Sequence, residues 1–168
     1  GSVRRVRPIP DRCPCDAGRA YDQCCGPYHR GEREAPDAPA LMRSRYSAFV
    51  RGDEPYLLRT LHPDHADLEE GVEALRASLR DTFRRNRYEG LRVLDHRPAG
   101  SDGLAEVLFH ARVREAGVDR SFVERSYFAH DGAGWRYLAG DLLPAASLPG
   151  RGAGLTLDGF ARALEAAR

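Results

Sequence analysis

Between Asp37 and Gly52 the apolar side chains fall at helical spacing. Met42, Tyr46 and Phe49 recur at intervals of four and three, with Val50 beside them, which sets them on one helix face. Asp37 suits the N-cap, Pro39 the first turn, and Gly52 the stop. Asp53-Glu54-Pro55 opens a second helix carrying Tyr56, Leu57 and Leu61. It ends at His62, because the residue before Pro63 is pushed out of the helical region. A third stripe, Leu68, Val72, Leu75, Leu79 and Phe83, follows Asp67 and Glu70, which match a capping box.

From Tyr88 onward the period shortens to two. Val107, Phe109, Ala111 and Val113 alternate with Glu106, His110 and Arg112, so one face of that strand is buried and the other wetter. Strands are expected over 91–96, 104–114, 120–129 and 135–141, each bounded by Gly, Pro or Asp. Three helices before an antiparallel meander predict an α+β domain. Residues 142–155 read as a Pro/Gly-rich stretch. Residues 156–168 read as a short closing helix with Leu157, Phe160 and Leu164 on one side.

A chain of 168 residues is enough for one core and a small appendage. Gly1-Ser2 reads as a cloning scar within a tail spanning 1–10. No apolar stretch approaches a membrane span and no signal-peptide pattern is present. The expected location is therefore the cytoplasm, and no membrane partner is expected. All 26 basic residues are arginine, set against 25 acidic ones, for a net charge of +1. That balance gives no global pull toward nucleic acid or lipid. Local clusters exist at Arg4, Arg5, Arg7, Arg12 and Arg19, and at Arg84, Arg85 and Arg87. A nucleic-acid adaptor is the third functional reading.

The cysteine pattern carries more information. All four lie in one short stretch, Cys13-Pro14-Cys15 and then Cys24-Cys25-Gly26. Four thiolates this close in sequence can surround one tetrahedral ion, most often Zn²⁺. Bridges within either pair would be strained. Cross-pairings such as Cys13 with Cys24 remain open. Gly18 and Gly26 permit tight loop conformations, Tyr21 is placed to cover the sulfurs, and Arg12 and Arg19 could offset the negative charge. His29 could replace one cysteine, although a surface role fits it better. One structural Zn²⁺ is expected, and its loss should loosen residues 11–30 while the rest keeps its own core.

Cys13-Pro14-Cys15, Gly18, Tyr21 and Cys24-Cys25-Gly26 resemble the SEC-C zinc knuckle of the preprotein translocase ATPase. Gly26-Pro27-Tyr28, the run Leu41 to Phe49, Tyr56-Leu57, Thr60, His62-Pro63, Glu124 to Phe128, Trp135 and Tyr137 are similar to the YchJ family of bacterial proteins. The resemblance implies a knuckle over 11–30, a nuclear transport factor 2-like cone over 36–145 in which a curved sheet wraps a helix, and a tail over 146–168. It implies protein contact through the knuckle, with no biochemical role defined. Some members carry a second knuckle at the C-terminus; no cysteine follows Cys25 here.

Such a cone can hold a ligand. Phe122, Glu124, Ser126 and Phe128 share one strand face, and Trp135, Tyr137 and Asp141 another. The candidate pocket residues are Tyr46, Phe49, His110, Glu124, Ser126, Trp135 and Tyr137. A carboxylate among aromatic side chains could serve as a base. The structural alternative pairs Glu124 with Arg43 or Arg45 and removes it from chemistry. No nucleophile elbow, phosphate loop or second metal motif appears, so no catalytic residue is expected. A protein-interaction module leads, and a Glu124-centred small-molecule or enzymatic cone comes second.

Overall fold

The computed structural model describes residues 11–168. The 1–10 tail, with Arg4, Arg5 and Arg7, lies outside the described residues. The cysteine loop leads into a single-turn helix α1 (Gly26–His29). Helix α2 (Ala38–Arg51) begins where the Asp37 carboxylate accepts the Ala40 N–H at 2.9 Å and ends at Gly52, whose φ of 68° is the left-handed turn glycine adopts easily. Asp53 caps α3 (Glu54–Arg59) in the same way.

Helix α4 (Val72–Arg85) starts later than the sequence suggests. Its N-cap is Gly71, with no side-chain bond. Asp67 lies in a 3₁₀ turn over Ala66–Leu68, capped by His65 Nδ1, so Asp67 and Glu70 form no capping box. Within α4, Leu75 is buried and Leu79 and Phe83 pack against the main core.

Strands β1 (Asn86–Arg97), β2 (Leu104–Glu115), β3 (Val118–Asp119), β4 (Phe122–His130) and β5 (Trp135–Pro144) form one antiparallel sheet. Its order is β1-β2-β4-β5, with β3 a short addition to β2. Irregularities between Tyr88 and Gly90, between Val93 and Asp95, and in β5 opposite Tyr127 and Phe128 interrupt the register and increase the local bend and twist. The β5 edge is closed by the chain after α3. Tyr137 N–H donates to Thr60 O at 2.9 Å and His62 N–H to Tyr137 O at 2.8 Å. His62 thus joins the sheet edge instead of ending a helix. On the opposite edge, Leu91 N–H donates to the Asp16 carboxylate at 2.9 Å.

Both faces of the sheet are covered. Val107, Ala111, Val113 and Phe128 on the inner face pack with Leu41, Met42, Tyr46 and Ala48 of α2. On the outer face, Leu108, Val123 and Leu143 meet Leu148, Leu157 and Phe160. Helix α5 (Leu157–Ala166) supplies the last two, with Thr156 as its N-cap. The irregularity near Val93 helps present Asp95, which accepts the Leu157 N–H at 2.8 Å. The face expected to be wetter is therefore partly a second core. Among the described residues, no helix is long and apolar enough to cross a membrane.

Candidate metal centre and ligand cavity

The four cysteine sulfurs lie within 4.8 Å of one another and all four residues are buried. Tetrahedral coordination with metal–sulfur bonds of about 2.3 Å would separate the sulfurs by roughly 3.8 Å; Cys15 and Cys24 are 3.5 Å apart. Asp16 (φ 62°) and Gly18 (φ 81°) turn the loop between the pairs. Gly26 has a different task from the one expected. Its φ is not positive; a Cβ there would come within 2.8 Å of the Tyr21 carbonyl oxygen.

The thiols cannot all ionise by themselves. Hydrogen bonds from Cys15 and then Cys25 pull the Cys13 thiol down, while the same sharing with Cys13 pushes Cys25 up and Cys15 to about 12. A bound cation resolves this conflict, because each thiolate then meets positive charge. The donor set fits one tetrahedral metal ion.

The knuckle is fastened to α2. Ser47 Oγ lies 3.6 Å from Cys13 Sγ, and Arg43 donates to the Cys15 carbonyl at 2.9 Å. The Arg51 guanidinium sits 3.8 Å over the Tyr21 ring. Arg12 and Arg19, expected to serve the site, are exposed. His29 is not a ligand in this arrangement. Its Nε2–H donates to Ser44 O at 2.8 Å, so Nδ1 is the acceptor for the Tyr21 hydroxyl at 2.5 Å. Burial lowers its pKa and keeps it neutral. The cysteines belong to the same apolar cluster as α2 and the inner sheet face.

Inside the cone is a cavity of about 370 Å³, within the roughly 300–1,000 Å³ range of small-molecule sites. Helices α2 and α4 form one wall and the inner sheet face the other. Most of the lining is apolar or aromatic, and two carboxyl residues, Asp67 and Glu124, border it. Glu124 Oε2 accepts from the hydroxyls of Ser126 and Tyr137, the latter at 2.9 Å. Burial raises the Glu124 pKa; the two hydroxyls and then the Arg45 charge oppose that rise. Arg45 is no direct partner. It donates to Leu57 O and Thr60 Oγ1 at 2.9 and 2.7 Å, and its guanidinium lies 4.9 Å over the Tyr137 ring. Burial lowers its pKa to about 10, which still leaves it charged at neutral pH.

Residues 37–140 match the model of the YchJ middle NTF2-like domain. The chain belongs to this family. It is similar to a SEC-C motif containing protein from Rhodopseudomonas palustris, solved in solution, with 33% identity over 77% of this chain and 96% of that one, at a TM-score of 0.67. A SEC-C motif containing protein from Psychrobacter arcticus, solved by crystallography, shares 28% identity over 76% and 80% of the two chains, at a TM-score of 0.63.

On this YchJ-family scaffold, Tyr46, Phe49, Glu124, Ser126 and Tyr137 line the cavity. His110 does not. It is offset by one residue from the inner-facing Phe109 and Ala111, so it faces the other side of the sheet, where it lines a different hollow. Trp135 also stands clear of the cavity. It pairs with His130 at the far end of β4, six residues or about 20 Å along the strand from Glu124, and packs edge-on against that histidine with ring centroids 5.4 Å apart. Asp141 does not share a face with Tyr137. The extra residue in β5 places it opposite Arg125, which it accepts at 2.8 Å.

Glu124 was expected to pair with Arg43 or Arg45. Arg43 serves the knuckle instead, and two hydroxyls take the carboxyl. One requirement has no local signal in the sequence. A Cβ at Gly140 would come within 2.6 Å of Glu124 Oε2 and 2.5 Å of the Tyr137 hydroxyl. Glycine at 140 therefore makes room for the carboxyl and its partner. Of the basic cluster at the end of α4, Arg84 and Arg85 both pair with Asp81, which reduces the charge they offer to phosphate.

Proposed function

We propose that this chain is a small-molecule-binding cone whose ligand meets Glu124, with the N-terminal knuckle held by one structural Zn²⁺. The observation that carries this reading is a buried carboxyl beside a cavity of about 370 Å³, held by hydroxyls and without an arginine ion pair among the described residues. A carboxyl kept for stability is normally neutralised by a paired cation. Burial raises the Glu124 pKa. The apolar walls suit an aromatic or aliphatic molecule with a single amine or hydroxyl directed at Glu124. Four sulfur donors favour zinc among the common divalent ions. A closed four-sulfur site leaves no open coordination position, so its role is to order the backbone.

The knuckle supports a second reading, a protein-docking module. Its tip, Asp16 to Arg19, is exposed while its own fastenings point inward to α2. A reduced, zinc-loaded chain used as bait should then lose its partner on Ala17→Asp.

The cavity reading is tested by NMR on the zinc-loaded chain with apolar amines and phenols as probes. Saturable shifts at Tyr137 and Phe109 are expected, with amine binding weakened in Glu124→Gln. Probes that leave these signals unmoved, or bind parent and variant equally, would remove Glu124 from the role. Elemental analysis should give one zinc per chain.

A further inference from the structure

The outer face of the sheet carries a second hollow that the inner cavity does not use. It measures about 410 Å³ and lies over β1 and β2 beside the turn at 150–153. Arg92 and His110 stand directly opposite each other across these strands, and Arg112 lies two residues beyond His110 on the same face. Arg151 reaches in from the turn. Its backbone holds a left-handed φ of 57°, a strained choice for a residue with a side chain. Arg112 lies across Gly90, where a Cβ would come within 3.2 Å of its Nε. The missing side chain at 90 gives the guanidinium its place.

The charges here are poorly balanced. Among the described residues Arg92 and Arg112 form no ion pair, and Arg112 donates to the Glu89 carbonyl at 2.9 Å. Arg151 pairs with Asp119 at 2.6 Å. Asp16 stands at the rim, with one carboxylate oxygen occupied by Leu91 N–H. His110 Nε2 is buried and has no hydrogen-bond partner among the described residues. Buried polar atoms are usually hydrogen-bonded, to protein or to water.

We propose that this hollow binds the phosphate group of a phosphorylated small molecule, with Arg92, Arg112 and Arg151 around the phosphate and His110 Nε2 donating to it. Guanidinium forks match phosphate oxygens, and the three here outnumber the neighbouring carboxylates of Asp16 and Asp119. The volume exceeds that of a phosphate group, and Leu94 and Ala153 provide an apolar wall for an organic remainder. Burial and then the charges of Arg151, Arg112 and Arg92 lower the His110 pKa. A bound dianion would counter most of that positive charge.

The test is an NMR titration of the zinc-loaded chain with phenyl phosphate at fixed ionic strength, following the His110 ring nitrogens. A saturable shift at His110 is expected, with Tyr137 unmoved. The double variant Arg92→Ala and Arg112→Ala should weaken binding at least tenfold; both side chains are exposed, so folding is retained. Three results would overturn the proposal: no saturable shift, an equal response to sodium chloride at matched ionic strength, or unchanged affinity in the double variant. A single-stranded RNA oligonucleotide that binds the same residues more tightly than phenyl phosphate would replace the small molecule with nucleic acid.

Discussion

Glu124 has the most consequence of any single residue, and its partners decide how it behaves. A carboxyl whose folded pKa lies above its unfolded value contributes stability that is fully present below the ordinary carboxylate range. That contribution is lost as pH rises through the raised value. Burial is the main cause of the rise. Glu124→Gln keeps an oxygen for the Ser126 and Tyr137 hydroxyls and removes the charge. The variant should therefore match the parent in acid and melt higher at neutral pH. Each kcal/mol gained corresponds to about 2–4 °C in a chain of this size. Thermal melts of both proteins across the weakly acidic to neutral range check this. A variant that melts lower at every pH would mean that the carboxylate charge itself stabilises the fold.

The elements were legible in the sequence where the signal is local. Asp37, Gly52 and Asp53 mark their helix ends through bonds a few residues long, and the period of two in β2 marks its inner face. The start of α4 was not legible, because Gly71 caps it without a side chain. The β5 irregularity was not legible either. It sends Asp141 to the outer face, and nothing in the local pattern announces it. Much of the candidate site was hidden for the same reason: Tyr137 reaches Glu124 from a neighbouring strand, past a glycine whose importance lies wholly in what stands beside it.

Four clustered cysteines were readable, but their shared core with α2 was not. Removing the metal with a strong chelator under reducing conditions should speed amide hydrogen exchange in 11–30 and also around Ser44 and Ser47 of α2, while β4 stays protected. Exchange confined to 11–30 would show that the knuckle is an independent appendage after all.

For the molecule as a whole, the sheet is a partition between two cores. Phe160 is fully buried on the outer one, against Val123 and Leu108. Phe160→Ala should lower stability by about 3–5 kcal/mol, measured by urea denaturation, although the residue lies far outside the matched family domain at 37–140. A loss below about 1 kcal/mol would mean that α5 is only loosely applied and the outer face is able to stand uncovered. The cone is thus sandwiched, and the C-terminal segment is part of its architecture.

The bond from Leu91 N–H to Asp16 gives the cysteine loop a protective role as well. Among the described residues, the β1 edge is the sheet margin that no other strand completes, and an unguarded margin is a template for another chain. A carboxylate on the loop next to Cys15 occupies one of its donors and brings negative charge to it. A chain starved of metal would first lose that guard, while most of its sheet was still intact. Its earliest failure would then be self-association of near-native molecules along β1, ahead of unfolding.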